Sequence, residues 1–407
     1  MKQPLAALAL LACAALPAGA QTAGDPVRPL VVLTEPQAAS PQQYQAAEMI
    51  ADAWRSLGLQ VQIRPLPGQQ FNQVVWYERG RWDATTWQMG GRPERSDPDE
   101  LTYNLFVSAN IANGYDFVGY NNPEYDRLAQ AQREELDLPK RQALIRQAQE
   151  LINRDQPYAF LVHPKNLVAF NRAVWDEGSM VQQAGIGIRN FWTWIGLKPR
   201  GAQRDVVLNS VAPPTNLSPF NIPGIQGSWA TELVWDRLMR IGPDGLPRPW
   251  AAESVTRPTP TTVDVTLRPG MTWHDGQPVT IEDAAFLVSS LSKLNLAPKH
   301  IWAPIFADLQ NKPETAESIM ERVPVGSGPY KFVSVKLTDQ IVLEGNPAHW
   351  AKPSVNRWIM RITPNIESTL GAMRSGEMNF LTDYTGDPEL LAGLAKSAPD
   401  IRSRSWT

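Results

Sequence analysis

Between Pro29 and Arg64 the chain passes through a short apolar run, a helical repeat and an alternating segment, an order that few folds accommodate. Pro29-Leu30-Val31-Val32-Leu33-Thr34 has the length and composition of a buried strand. Ala47, Ile50, Trp54 and Leu57 then recur at helical spacing, and Gly58 stops the helix. Leu59, Val61 and Ile63 alternate, the pattern of a half-buried strand. Strands joined through a helix are expected to lie parallel, and a parallel sheet needs helices on its faces. An α/β lobe is therefore predicted here.

Similar alternation continues. Arg141 to Asp155 sets Leu144, Ala148, Leu151 and Ile152 on one helical face, Pro157 ends that helix, and Phe160-Leu161-Val162 is expected to resume a strand. Pro, Gly and charges cluster between Lys198 and Arg204, a seam before the apolar strand Val206-Val207-Leu208. Val263, Val265 and Leu267 alternate, Pro269-Gly270 and Trp273-His274-Asp275-Gly276 form turns, and Thr280 with Asp283 caps a helix through Leu291. Val325 to Leu343 has the pattern of a Gly-rich turn and a hairpin. No repeat of solenoid or propeller length recurs.

With 407 residues, 43% of them hydrophobic, the chain has material for two sizeable cores. A net charge of −3 without a long basic block argues against nucleic acid as a partner. One Cys excludes an intrachain disulfide framework, and four His scattered along the chain offer no paired metal ligands. His274, beside Asp275-Gly276, is expected to shape a turn. No nucleophile elbow, zinc-protease motif or phosphate loop occurs, so neither catalytic residues nor a cofactor are expected. Lys2, the apolar run Leu5 to Leu16 and Ala18-Gly19-Ala20 form a secretory signal ending at residue 20. Leu10-Leu11-Ala12-Cys13 offers a second processing route, with a lipid anchor at Cys13 as the less favoured alternative.

In the second half three motifs occur in order. Gly245-Leu246-Pro247-Arg248-Pro249-Trp250-Ala251-Ala252-Glu253 comes first, and Leu267-Arg268-Pro269-Gly270-Met271-Thr272-Trp273-His274-Asp275-Gly276-Gln277-Pro278-Val279-Thr280 follows with Asp283 closing it. Val325-Gly326-Ser327-Gly328-Pro329-Tyr330-Lys331-Phe332 is third, with Asn346 and Gly376-Glu377 beyond. Together they resemble the N-terminal lobe of the family 5 extracellular solute-binding proteins, the dipeptide, oligopeptide and nickel receptors of ATP-binding-cassette importers. In the first half, Trp82-Asp83-Ala84 to Trp87, Asp97-Pro98-Asp99, Gly119-Tyr120-Asn121-Asn122-Pro123-Glu124-Tyr125-Asp126 and the Arg141 to Asp155 helix resemble the other end of the same family. The two halves stand in exchanged order, and the family's connecting helical stretch has no counterpart. The resemblance implies an α/β, two-lobed periplasmic binding protein-like fold of type II, in the peptide-receptor cluster. The exchanged order is that of a circular permutation, of a partial lobe fused ahead of a receptor cut off at its C-terminus, or of an artefact of gene prediction, a permuted or fused, incomplete receptor being the preferred reading. Residues 27–200 would correspond to the family's C-terminal half, a second lobe plus returning strands, and residues 201–407 to its N-terminal lobe.

The same resemblance implies a non-enzymatic, exported, periplasmic and monomeric receptor. It would deliver a peptide or similar solute to the membrane permease subunits of an importer. A non-peptide solute such as a sugar or metal chelate, and a degenerate fragment without binding activity, are the alternatives. Ligands in α/β lobes sit at the carboxyl ends of strands, so Trp87 and the loop from Gln88 to Asp99 would face the solute. Family peptide receptors place an aspartate shortly after that Trp; here Gln88-Met89-Gly90-Gly91-Arg92 has none, and Arg92 and Arg95 supply positive charge. The expected ligand is accordingly anionic or blocked at its amine. Thr215 and Asn216, before a turn that family ligands contact, complete the candidate set with Trp229 as an aromatic wall on the other lobe. Of Trp192 and Trp194, alternating across an expected strand, one should be core.

Overall fold

The structure, a computed structural model, describes residues 27–406 apart from 88, 90, 113, 164, 184, 211–216, 221–223, 287–290, 292, 312–323, 337–338 and 364. The signal segment with Cys13, and the candidates Gln88, Thr215 and Asn216, lie outside the described residues.

Strand β1 (Leu30–Thr34), helix α1 (Pro41–Ser56) and strand β2 (Val61–Pro65) form the expected βαβ unit, paired in parallel from Leu30↔Val61 to Thr34↔Pro65. Helix α1 buries Ala47 and Ala51, and Gly58 takes φ 85°, a left-handed value that suits glycine just past a helix end. Helix α2 (Gly68–Tyr77) leads to β3 (Ala84–Thr85), which joins the other edge of β1 to give the order β2-β1-β3. Leu33, Phe71, Val74 and Val75 fill the space between sheet and helix.

Three helices follow, α3 (Asp99–Phe106), α4 (Pro123–Glu134) and α5 (Leu138–Asp155), around Leu105, Phe106, Tyr125, Leu128, Ala148 and Leu151. The polar motif residues here are fasteners. Asn122 caps α4 by accepting from the N–H groups of Glu124 and Tyr125, and Asp126 accepts from Ser108. Asp97 pairs with Arg141 at 2.7 Å and Asp99 with Arg133 at 3.3 Å, so the Asp-Pro-Asp turn is bolted to α4 and α5. Phe160, Leu161 and Val162, expected as a strand, form none and are 64%, 56% and 80% exposed. Among the described residues no neighbouring strand pairs with them, and apolar composition alone cannot make a strand without one.

The remaining elements are β4 (Asn166–Asn171), α6 (Phe191–Gly196), β5 (Asp205–Ser210), α7 (Gly224–Val234), β6 (Met239–Ile241), β7 (Pro247–Pro249), β8 (Ala252–Thr259), β9 (Thr262–Leu267), α8 (Ile281–Phe286) and α9 (Lys299–Asn311). They continue with β10 (Tyr330–Lys336), β11 (Gln340–Gly345), β12 (Arg357–Ile362), α10 (Ile366–Ser375), β13 (Phe380–Tyr384), α11 (Pro388–Ser397) and β14 (Ile401–Trp406). Seven strands make one mixed sheet in the order β10-β11-β12-β5-β13-β4-β14, with β12, β5 and β13 mutually parallel. The fold is α/β. The expected hairpin is β10–β11. Strand β4, which precedes the seam in sequence, lies between β13 and β14, antiparallel to both.

Trp192 and Trp194 lie on a helix and not on a strand. The Asn190 side chain accepts from the Thr193 N–H and starts α6; Trp194 is buried against Trp358 and Phe380, while the Trp192 indole N–H donates to Ile241 O at 2.9 Å. A six-residue helix is too short to display its period, so alternation was the only visible signal. The Lys198–Arg204 seam therefore connects two elements of a single core, and the change of core falls between α5 and β4.

Candidate functional site

At the carboxyl edge of the small sheet, β1 and β3 end side by side. Leu33 pairs with Thr85, and the Thr86 hydroxyl donates to the Thr34 hydroxyl at 3.1 Å. Just before β3, Asp83 accepts from the Val31 N–H and pairs with Arg28 at 2.6 Å, fixing the start of the strand to its neighbour. Trp87 is the second residue past the strand. Its ring stacks on Phe71 at 5.7 Å and lies 5.6 Å from Phe117, and its N–H points to the Met89 sulfur at 3.2 Å. Trp87 is thus half-buried, one face committed to the core of its own sheet. Met89 packs against the three-helix cluster. Arg92, whose buried Nε has no described partner, precedes a 3₁₀ turn, Pro93–Ser96, that contains Arg95.

The larger sheet presents the carboxyl ends of β5 and β13. Asn209 accepts from the Thr382 N–H at 2.9 Å, tying the two ends together, and the buried Thr382 hydroxyl has no partner among the described residues. Arg189 donates to Thr382 O at 2.8 Å and lays its guanidinium 4.1 Å over the Trp229 ring. Trp229 is only 5% exposed and belongs to the main core. The expectation of an open aromatic wall at Trp229 is corrected: α7 packs on the sheet and Arg189 covers the ring. Trp235, six residues on, is core as well.

The two edges meet. A Cβ on Gly91 would overlap the carbonyl oxygen of Gly185, so only glycine permits this approach. The Ser96 hydroxyl donates to Gly245 O at 3.2 Å, and Lys293 pairs with Glu100 at 3.7 Å. The Gln183 amide holds Gly242 O at 3.2 Å, linking the segment that carries Gly185 and Arg189 to the β6–β7 turn. The loop that carries Trp87, Met89 and Arg92 is therefore joined, through Gly91, to the segment that carries Gly185 and Arg189. Carboxyl ends of parallel strands with aromatic and guanidinium groups nearby make a surface suited to a polar organic ligand.

The second-half motifs are scaffolding around this junction. Thr280 and Asp283 cap α8 reciprocally, and Asp283 also receives the Trp273 indole N–H and the Lys299 N–H. His274 accepts from the Gly326 N–H at 3.2 Å on Nδ1 and lies 3.0 Å from Gly328 O through Nε2. That arrangement requires the neutral ring with its proton on Nε2, and burial pushes its pKa down to about 4. Gly326 and Gly328 press against the α7 carbonyl ends of Leu233 and Val234, where any side chain would collide. Among the described residues no group of three His, Cys, Asp or Glu could hold a metal, and no helix is long and apolar enough to cross a membrane.

Residues 247–315 and 291–403 match the family described as bacterial extracellular solute-binding proteins, family 5 middle, the family the motifs resemble. The oligopeptide-binding protein AppA of Bacillus subtilis is 33% identical over 109 residues, covering 25% of this chain and 19% of that protein. A putative ABC transporter peptide-binding protein of Brucella ovis is 23% identical over 151 residues, covering 26% of this chain and 28% of that protein. The chain thus spans less than a third of the length of these relatives. Among solved structures, AppA of Bacillus subtilis in complex with a nonapeptide overlaps with a TM-score of 0.42 at 18% identity, covering 48% of this chain and 47% of that one. The oligopeptide-binding protein of Thermotoga maritima bound to mannohexaose gives 0.40 at 21% identity, covering 49% and 44%.

Proposed function

We propose that this chain, whose residues 247–403 match the family 5 solute-binding proteins, is the exported, non-enzymatic receptor of an ATP-binding-cassette importer. It takes a peptide-like solute between two α/β lobes in the periplasm and hands it, as a monomer, to the permease subunits. The observation that carries this reading is the close backbone approach of Gly91 and Gly185, which joins the loop that follows Trp87 to the segment whose Arg189 reaches the β13 strand. The names of the curated relatives, which are peptide-binding proteins, support the solute class. The lobes are residues 27–165 and 166–406, and the first derives from the family's C-terminal half. In support, β4 sits inside the larger sheet, where a returning strand belongs. Closure of the lobes would exclude water from the junction and strengthen its charge–charge contacts.

Arg92 and Arg95 hold the solute's carboxylate in this account. Changing both to Ala should weaken binding of a free tripeptide pool about 10- to 100-fold, the scale of one or two hydrogen bonds to a charged group. Calorimetric titration checks this, with the melting temperature of the unliganded variant as the control for folding. Unchanged affinity, or a preference for solutes without a carboxylate, would remove both arginines from the site.

A further inference from the structure

Three carboxylates cluster where α3 begins, and two of them are held within their own lobe: Asp97 pairs with Arg141 and Asp99 with Arg133. Glu100, the second residue of α3, instead reaches the other lobe and pairs with Lys293 at 3.7 Å. The two side chains are 27% and 31% exposed, so the pair is partly shielded from water. Lys293 lies in a segment fixed on both sides. Leu291 O accepts from the Met239 N–H at 2.8 Å, while the Asn295 side chain donates to Pro219 O at 3.1 Å and accepts from Arg237 at 3.0 Å. Ser96, one turn before Glu100, shares its hydroxyl proton between Pro93 O and, across the boundary, Gly245 O. We infer that Glu100 and Lys293 are a positioning pair: without touching the solute, they latch the two lobes in the closed arrangement that binds it.

The start of α3 is secured to its own lobe by Asp97 and Asp99, so Glu100 is not needed to hold it there. The charge of Lys293 is nevertheless felt inside the first lobe. Burial would raise the Asp97 carboxyl, but Arg141, the Asp99 N–H and, least of these, Lys293 hold it below the ordinary value. One ion pair of this kind adds little to a core. It matters more to an equilibrium between two arrangements, because the apparent affinity for a solute scales with the fraction of molecules able to bind it. The ion pair draws the lobes together, and the backbone contact of Gly91 with Gly185, where a Cβ would collide, stops them. This inference rests on the receptor reading above.

The test compares the whole chain with Glu100→Gln, Lys293→Gln, the double variant, and the charge exchange Glu100→Lys with Lys293→Glu. Calorimetric titration with a pool of random tripeptides reads affinity, and small-angle X-ray scattering of the unliganded chain reads how closely the lobes are held. Each single variant should bind about 3- to 10-fold more weakly and scatter as a more expanded particle. The double variant should lose no more than either single one, and the exchange should recover most of both losses. Melting temperatures confirm that all four are folded. Unchanged affinity and scattering in the single variants, losses that add in the double variant, or an exchange that recovers nothing would overturn the latch while leaving the receptor reading intact. Failure of the unmodified chain to bind the pool would overturn both.

Discussion

Phe170→Ala is expected to cost about 3–5 kcal/mol of folding stability, the usual range for emptying a buried aromatic site. Phe170 lies on β4, is fully buried, and packs 6.0 Å from Phe380 with the Arg404 guanidinium over its ring at 5.9 Å. Its strand is bonded to β13 on one side and β14 on the other, so the gap would open inside the larger sheet, one strand from its edge. Denaturant titration followed by tryptophan fluorescence checks the figure, because Trp175, Trp194 and Trp358 report on the same core. A loss under about 1 kcal/mol would mean that β4 is peripheral, and the assignment of residues 166–200 to this lobe would fall with it.

The second large effect is expected at Asp236. It is fully buried, accepts from the Trp250 indole N–H at 2.7 Å and faces His349 Nε2 at 3.4 Å, long for a hydrogen bond. Burial by itself would raise its carboxyl pKa, but the His349 contact and charge, with the Arg240 charge, more than offset this and hold it below the ordinary value. Asp236→Ala would take the facing carboxylate from buried His349 and the acceptor from the Trp250 indole N–H, at a cost of about 3–5 kcal/mol. A depressed folded-state pKa gives stability that is fully present above the unfolded carboxylate value, about 3.9, and is lost as pH falls through the folded one. The unmodified chain should therefore lose stability below about pH 4 more steeply than Asp236→Asn, whose amide cannot titrate. Parallel acid-unfolding curves would show that the pair contributes nothing across that window.

Much of the first lobe was legible because its signals are local. The βαβ unit at 30–65 declares itself through a run, a helical period and an alternation, and each structure element forms within a few residues of the expected bounds. Motif residues such as Asp97, Asn122 and Asp283 were visible as motifs, yet their work is to fasten turns to helices, which only the partner positions reveal. Trp229 and Trp87 could not be told apart by sequence. Whether a Trp faces a core or a cleft depends on what crosses over it, here Arg189 in one case and Phe71 in the other. Phe160 to Val162 misled because strand propensity describes a fit to neighbours, and the described residues supply none.

The central claim is that the chain captures a peptide-like solute, and thermal unfolding in the presence of the free tripeptide pool tests it most directly. A ligand that binds only the folded form stabilises it by an amount that grows with concentration, about 2.7 kcal/mol at a hundredfold excess over the dissociation constant. The account predicts a concentration-dependent rise in melting temperature, reduced when Arg92 and Arg95 are replaced. A melting temperature that stays constant into the millimolar range, with the unmodified chain folded throughout, would contradict it.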